Sequence, residues 1–140
     1  MSYDTMDTTF PPSIVRDSPD LFAEQAEYAA SRCKDKKLNK PAQLRRFYDE
    51  LVMWHDKVFA AKTAEERLER FKKVEPFIQM MRAKASYALG RALITRDFFD
   101  LLNDLIKQIQ SPESLKRAKL FFEAFIGYMK FYEKAKNSEQ

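Results

Sequence analysis

Glycine is nearly absent from this chain: Gly90 and Gly127 are the two in 140 residues. Two isolated glycines cannot build a phosphate-cradling loop of either common type, because such loops need several within one turn so that backbone amides can approach the phosphate. The single cysteine, Cys33, excludes an internal disulfide and cannot form a zinc site by itself. No apolar run approaches the roughly 20 residues of a membrane span, and no basic leader precedes an apolar core with a cleavage site. The expectation is a soluble, cytoplasmic protein in a reducing setting, with no membrane contact.

Histidine is equally scarce, and His55 is the only one. The dipeptide His55-Asp56 is of a kind that metal-dependent phosphohydrolases use, but such a site needs several histidines. A carboxylate-bridged di-iron bundle needs two Glu-x-x-His pairs from different helices, which one histidine cannot supply. A serine or cysteine nucleophile would depend on that same histidine, and no spacing suggests a Ser-His-Asp or Cys-His set. On a helical wheel His55 lies close to Leu44, Tyr48 and Leu51, which suits a partly buried structural histidine. The acid pair Glu65-Glu66 sits at a helix start, where it complements the dipole. The chain is therefore expected to be no enzyme, with no catalytic residues, metal or cofactor.

What the chain has in quantity is Ala, Leu, Lys, Glu, Gln, Arg and Met, the residues that lose least on entering a helix. Its length suits one domain with a real core. Residues 1–17 mix Thr, Ser, Asp and Pro11-Pro12 without a period and read as a flexible acidic arm, with the helical domain over 18–140. Ser18-Pro19 predicts a helix start, with that helix fading near Lys34. Lys34 to Lys40 reads as a loop. Asn39 is placed as the cap of a second helix, from Lys40 to about Ala60. Thr63 with Glu66 has capping-box spacing and opens a third, interrupted or kinked near Pro76 and resuming to about Ile94. Thr95 caps a fourth, whose Phe98, Leu101, Leu102, Leu105, Ile106 and Ile109 form an apolar face. Ser111-Pro112 starts a fifth, running to about Lys136. The fold class is all-α, a single compact bundle of about five helices.

The net charge of +4 is unevenly spread. Residues 1–33 hold Arg16 and Arg32 against six carboxylates, a net −4, which leaves +8 on the rest. A basic body fits a polyanion partner. On the third helix Phe77, Ile78, Met81, Ala85, Ala88, Leu89 and Ala92 share a core stripe at 100° per residue. Met80, Lys84, Tyr87 and Arg91 form a second ribbon. Two readings of it stay open: a core margin with snorkelling cations, or an RNA contact in which the cations meet phosphates and Tyr87 offers a stacking plane or a hydroxyl. The fifth helix also has two stripes. Leu115, Ala118, Phe122, Phe125, Ile126 and Met129 make a core face; Leu120, Ala124, Gly127 and Phe131 lie opposite. Such a helix is either central in the bundle or shared with a partner, and Gly127 suggests close approach of another element. Lys116, Arg117, Lys119, Lys130 and Lys134 border both stripes.

Three segments stand out together: Gln43-Leu44-Arg45-Arg46-Phe47-Tyr48, then Lys84-Ala-Ser-Tyr87-Ala-Leu-Gly90-Arg91, then Glu123-Ala124-Phe-Ile-Gly-Tyr128-Met-Lys130-Phe-Tyr132. In this order the chain resembles the Csm small-subunit family of type III-A CRISPR-Cas effector complexes, over Gln43 to Tyr132. The resemblance implies an all-helical, non-catalytic RNA-binding subunit for antiviral defence. Its implied partners are the guide RNA and the paired target RNA, other Csm subunits, and further copies of itself. By motif it points to Arg45, Lys84, Arg91 and Lys130 as RNA contacts, with Arg46 added by proximity and Tyr87 by its place in the ribbon. The chain departs from the pattern at Met129, where a histidine is frequent, and after Tyr132, where Glu133-Lys-Ala-Lys replaces a glycine-containing tail. Competing readings are a helical interaction scaffold without RNA contact, working through the second stripe of the last helix, the small subunit of a type III-B complex, and an enzyme dependent on His55.

Overall fold

The structure is a computed structural model describing residues 9–15 and 18–138, with side chains to residue 133. Five helices follow in chain order: α1 (Glu24–Cys33), α2 (Pro41–Phe59), α3 (Ala64–Gly90), α4 (Arg96–Lys107) and α5 (Pro112–Ser138). No strand occurs among the described residues.

Three of the caps lie where local chemistry puts them. The Thr63 hydroxyl accepts from the Glu66 amide and that of Thr95 from the Phe98 amide, which satisfies one orphan donor at each start. At α5 the box is reciprocal: Ser111 Oγ accepts from the Ser114 amide, while Ser114 Oγ accepts from the amides of Gln110 and Ser111.

Elsewhere the chain departs from its sequence reading. Ser18-Pro19 opens a turn, and α1 begins only at Glu24. The Ser18 hydroxyl donates to the Asp20 carboxylate, which also receives Gln25 Nε2 at 2.8 Å, so the hydroxyl is engaged locally instead of capping. Asn39 does not cap α2; Lys40 holds the N-cap position and Pro41 fills the first turn. Asn39 instead takes a left-handed φ of 56°. Its Nδ2 donates to the Cys33 carbonyl (2.7 Å) and to Thr95 Oγ1 (2.8 Å), and its Oδ1 accepts from the Thr95 amide (2.9 Å). The side chain thus joins the end of α1 to the start of α4. Pro76 does not interrupt α3, which is continuous from Ala64 to Gly90. Its end comes before Ile94 because Ala92 turns left-handed (φ 57°) and the Leu93 and Ala92 amides return to the carbonyls of Ala88 and Leu89, a Schellman arrangement.

Within the stretch read as an arm, residues 9–15 are described, and part of it is docked. Ile14 and Pro12 are buried. Gln108 accepts from the Ile14 amide (2.6 Å) and donates to the Pro12 carbonyl (3.0 Å), and Arg117 Nε donates to the Ile14 carbonyl at 2.8 Å. Residues 1–8, 16 and 17 lie outside the described residues.

In the packing, α5 lies on α1 and α2, α3 lies on α4 and α2, and α4 also touches α1. An aromatic cluster fills the centre. Phe98 of α4 stacks on Phe125 of α5 at 5.8 Å and stands edge-on to Phe122 at 6.2 Å, while Phe47 of α2 closes on it at 6.0 Å.

Candidate nucleic-acid interface

The second ribbon of α3 is open surface. Tyr87 is 65% exposed and Met80 54%, so neither is a core margin. Phe77 is the correction on this helix: placed in the core stripe by its wheel angle, it is 50% exposed, whereas Ile78, Met81, Ala85 and Ala88 are buried. Ala92 lies beyond the helix and is exposed. Adding Phe77 lengthens the ribbon. Arg70, Lys73, Phe77, Met80, Lys84, Tyr87 and Arg91 recur at alternating steps of three and four, the repeat that keeps residues on one face of a helix. All seven are exposed and no acid interrupts them. At 1.5 Å per residue the ribbon is about 30 Å long. The missed half was readable by extending the same spacing backward from Met80.

The cations in it are held in different ways. Lys84 Nζ lies 2.8 Å from Glu50 Oε1 on α2. Arg91 donates to the Tyr87 hydroxyl (2.9 Å), with its guanidinium 5.7 Å from that ring's centre. Arg46 lies one turn before Glu50, toward this ribbon. Arg45, its neighbour, points about 100° away around α2.

Arg45 and Lys130 belong to a second surface. They line a groove of about 1090 Å³ between the Lys34–Lys40 loop and the far half of α5, floored by Leu44, Ile126 and Met129. Lys34, Lys36, Lys37 and Lys40 also border it, against Asp35 and Glu133. The six site residues are therefore divided between two basic faces on either side of α2. The lysines of the loop were missed because a charge run carries no local sign of the helix it will face.

The three motif segments meet through polar contacts. Tyr48 of the first donates to Glu123 of the third (2.8 Å), Glu123 also pairs with Lys119 (3.1 Å), and Lys84 of the second pairs with Glu50, two residues after Tyr48. Burial first, and then the bond to Glu123, push the Tyr48 phenol up to about 12. The same bond, followed by Lys119, holds the Glu123 carboxyl below the usual carboxylate range. Both signs stabilise the fold between the two titrations. The Tyr48 contribution is complete below its unfolded pKa of about 10 and is lost as pH rises toward 12; the Glu123 contribution is complete above about pH 5 and is lost as pH falls through its lowered value. Tyr48→Phe is expected to cost about 1 kcal/mol at pH 7, and to remove a late tyrosinate step, near pH 12, from an absorbance titration at 295 nm. Equal urea midpoints at pH 7 would show that the bond adds nothing.

Along the second stripe of α5, Leu120 and Ala124 are half-buried, Gly127 is exposed and Phe131 is 62% exposed. Among the described residues nothing packs directly on Gly127, where a methyl group would meet no atom within 4 Å. His55 is half-buried, with Nδ1 3.0 Å from Asp56 Oδ1 and its ring stacked on Phe59 at 4.6 Å. Cys33 is buried, which pushes its thiol up. Among the described residues no three His, Cys, Asp or Glu side chains come together as a metal site, and no helix is long and apolar enough to cross a membrane.

Comparison with curated proteins and with solved structures returns no match. A family model does match: residues 16–135 fit the one described as Csm2 Type III-A. With nearly the whole chain covered, and with the motif segments joined on α2 in an all-helical bundle, the protein belongs to the Csm2 family and is a small subunit of the type III-A Csm complex.

Proposed function

We propose that this subunit is non-catalytic and binds the backbone of guide and target RNA within the Csm complex, in antiviral defence, through Lys84, Tyr87 and Arg91 on α3, with Arg45, Arg46 and Lys130 on the faces flanking α2. The observation that carries this is the exposed, acid-free ribbon of α3. Phosphate contact by Lys and Arg is sequence-independent, which suits a complex in which base pairing reads the sequence. Lys84 shares its charge with Glu50, so Arg91 is the freer phosphate ligand.

Replacing Lys84 and Arg91 together by alanine should weaken binding of the assembled complex to target RNA about tenfold, alike for unrelated sequences. It should also flatten the salt dependence by about 1.4, at roughly 0.7 per phosphate. Unchanged affinity with folding intact would remove both residues from the interface. The exposure of Phe131 beside Gly127 favours a second role for the same subunit: that end of the Leu120, Ala124, Gly127, Phe131 stripe contacts a neighbouring subunit or copy. Phe131→Asp would then block assembly while leaving the isolated subunit folded; normal assembly would rule the stripe out as an interface.

A further inference from the structure

Phe77 is a large aromatic side chain left half in water at the middle of a cationic ribbon. Its ring lies nearly parallel to the indole of Trp54 on α2, with centres 5.7 Å apart and planes 17° from each other. Trp54 is half-buried and anchored: its Nε1 donates to Glu50 Oε2 at 3.2 Å, and Lys57 Nζ stands 5.6 Å from its ring centre. Glu50 in turn holds Lys84. The pair is thus one packed stack, fixed from two helices, with one member open to solvent. Along the axis Lys73 lies about 6 Å before Phe77 and Lys84 about 10 Å after it, which puts a cation on each side of whatever covers the ring.

We propose that Phe77, backed by Trp54, is a stacking platform for an unpaired nucleobase. A π-face with cations on both sides is the chemistry that single-stranded nucleic acid recognises, each base stacking while its phosphates are neutralised. A paired base in an A-form helix is already covered on both faces and has no free plane to offer. The platform therefore selects unpaired nucleotides, and it serves as a discriminating element in addition to the backbone contacts. An apolar protein segment is the poorer occupant, because the ribbon itself carries four cations and the carboxylate beside it, Glu50, is engaged by Lys84 and Trp54. The inference rests on the RNA reading of the α3 ribbon and adds base contact to it.

The test compares two probes of equal length at low salt, an oligouridylate and an abasic ribose-phosphate strand, binding to the full chain. Trp54, the only tryptophan, reports on the platform. The wild-type protein is expected to bind the base-bearing strand roughly tenfold more tightly than the abasic one, by the usual size of a base–aromatic contact, with Trp54 emission quenched by the former alone. Phe77→Leu should reduce that preference to twofold or less, and Phe77→Trp should keep it, which separates stacking from a general effect on the fold. Equal affinity of the wild type for both strands, or a preference that survives in Phe77→Leu, overturns the platform and leaves the backbone reading standing. Binding to neither strand overturns both.

Discussion

Phe98→Ala is expected to lose about 4 kcal/mol of stability, the usual range for removing a buried phenylalanine being about 3–5 kcal/mol, and with it roughly 15 °C of melting temperature. The reason lies in how α4 is held. Its main neighbours are α3 and, more lightly, α1. It reaches α2 and α5 through Phe98, whose ring meets Phe47, Phe122 and Phe125 and is 1% exposed. Truncation opens a cavity where α2, α4 and α5 meet, and the aromatic rings around it each lose a partner. Phe98→Leu keeps most of the volume and should cost no more than about 1.5 kcal/mol. Urea denaturation of the two variants measures both numbers. A loss under 1.5 kcal/mol for the alanine variant would mean that the cluster collapses around the gap and that α4 is held mainly by α3.

Asn39→Ala should cost about 3 kcal/mol although it removes no apolar surface to speak of. The substitution deletes hydrogen bonds to Cys33 O, Thr95 Oγ1 and the Thr95 amide at a buried position. The Cys33 carbonyl and the Thr95 amide would each lose a partner, at about 1 kcal/mol or more apiece. Alanine also tolerates the left-handed backbone less well than asparagine, by about 1 kcal/mol. Asn39→Gly separates the two causes: it relieves the backbone and leaves the same groups unpaired, so it should recover about a third of the loss. If glycine were as costly as alanine, the hydrogen bonds alone would account for the effect.

These two residues also show what could be read from the chain. Phe98 was legible, because the apolar period of α4 and its Thr95 cap are both local signals, completed within four residues of one another. The Thr63 and Ser111 starts were legible for the same reason. Asn39 was not: a capping asparagine and a bridging asparagine look alike in sequence, and its partner Thr95 lies 56 residues away. Phe77 was misread because a wheel angle at the margin of a stripe does not say how far the neighbouring helix reaches, and α2 offers it only the face of Trp54. Pro76 was read as an interruption or a kink; the interruption is absent, the one missing amide falling on an exposed turn of a helix that runs on to Gly90. Of the candidate contacts, the order Met80, Lys84, Tyr87, Arg91 was visible in the periodicity, whereas the separation of Arg45 from Arg46 onto different faces depends on where α3 and α5 flank α2.

The uneven burial of α5 has a kinetic meaning. Leu115, Ala118, Phe121, Phe122 and Phe125 are fully enclosed, while from Ile126 to Glu133 every side chain keeps some contact with water. One continuous helix thus joins two different classes of amide proton. Those near Phe122 should exchange with deuterium only when the whole bundle opens, and those beyond Gly127 through fraying of the last turns, at a small fraction of the global free energy. Slowed uptake confined to the last turns on entry into the Csm complex would mark the helix end as a part of the subunit that is ordered by its neighbours.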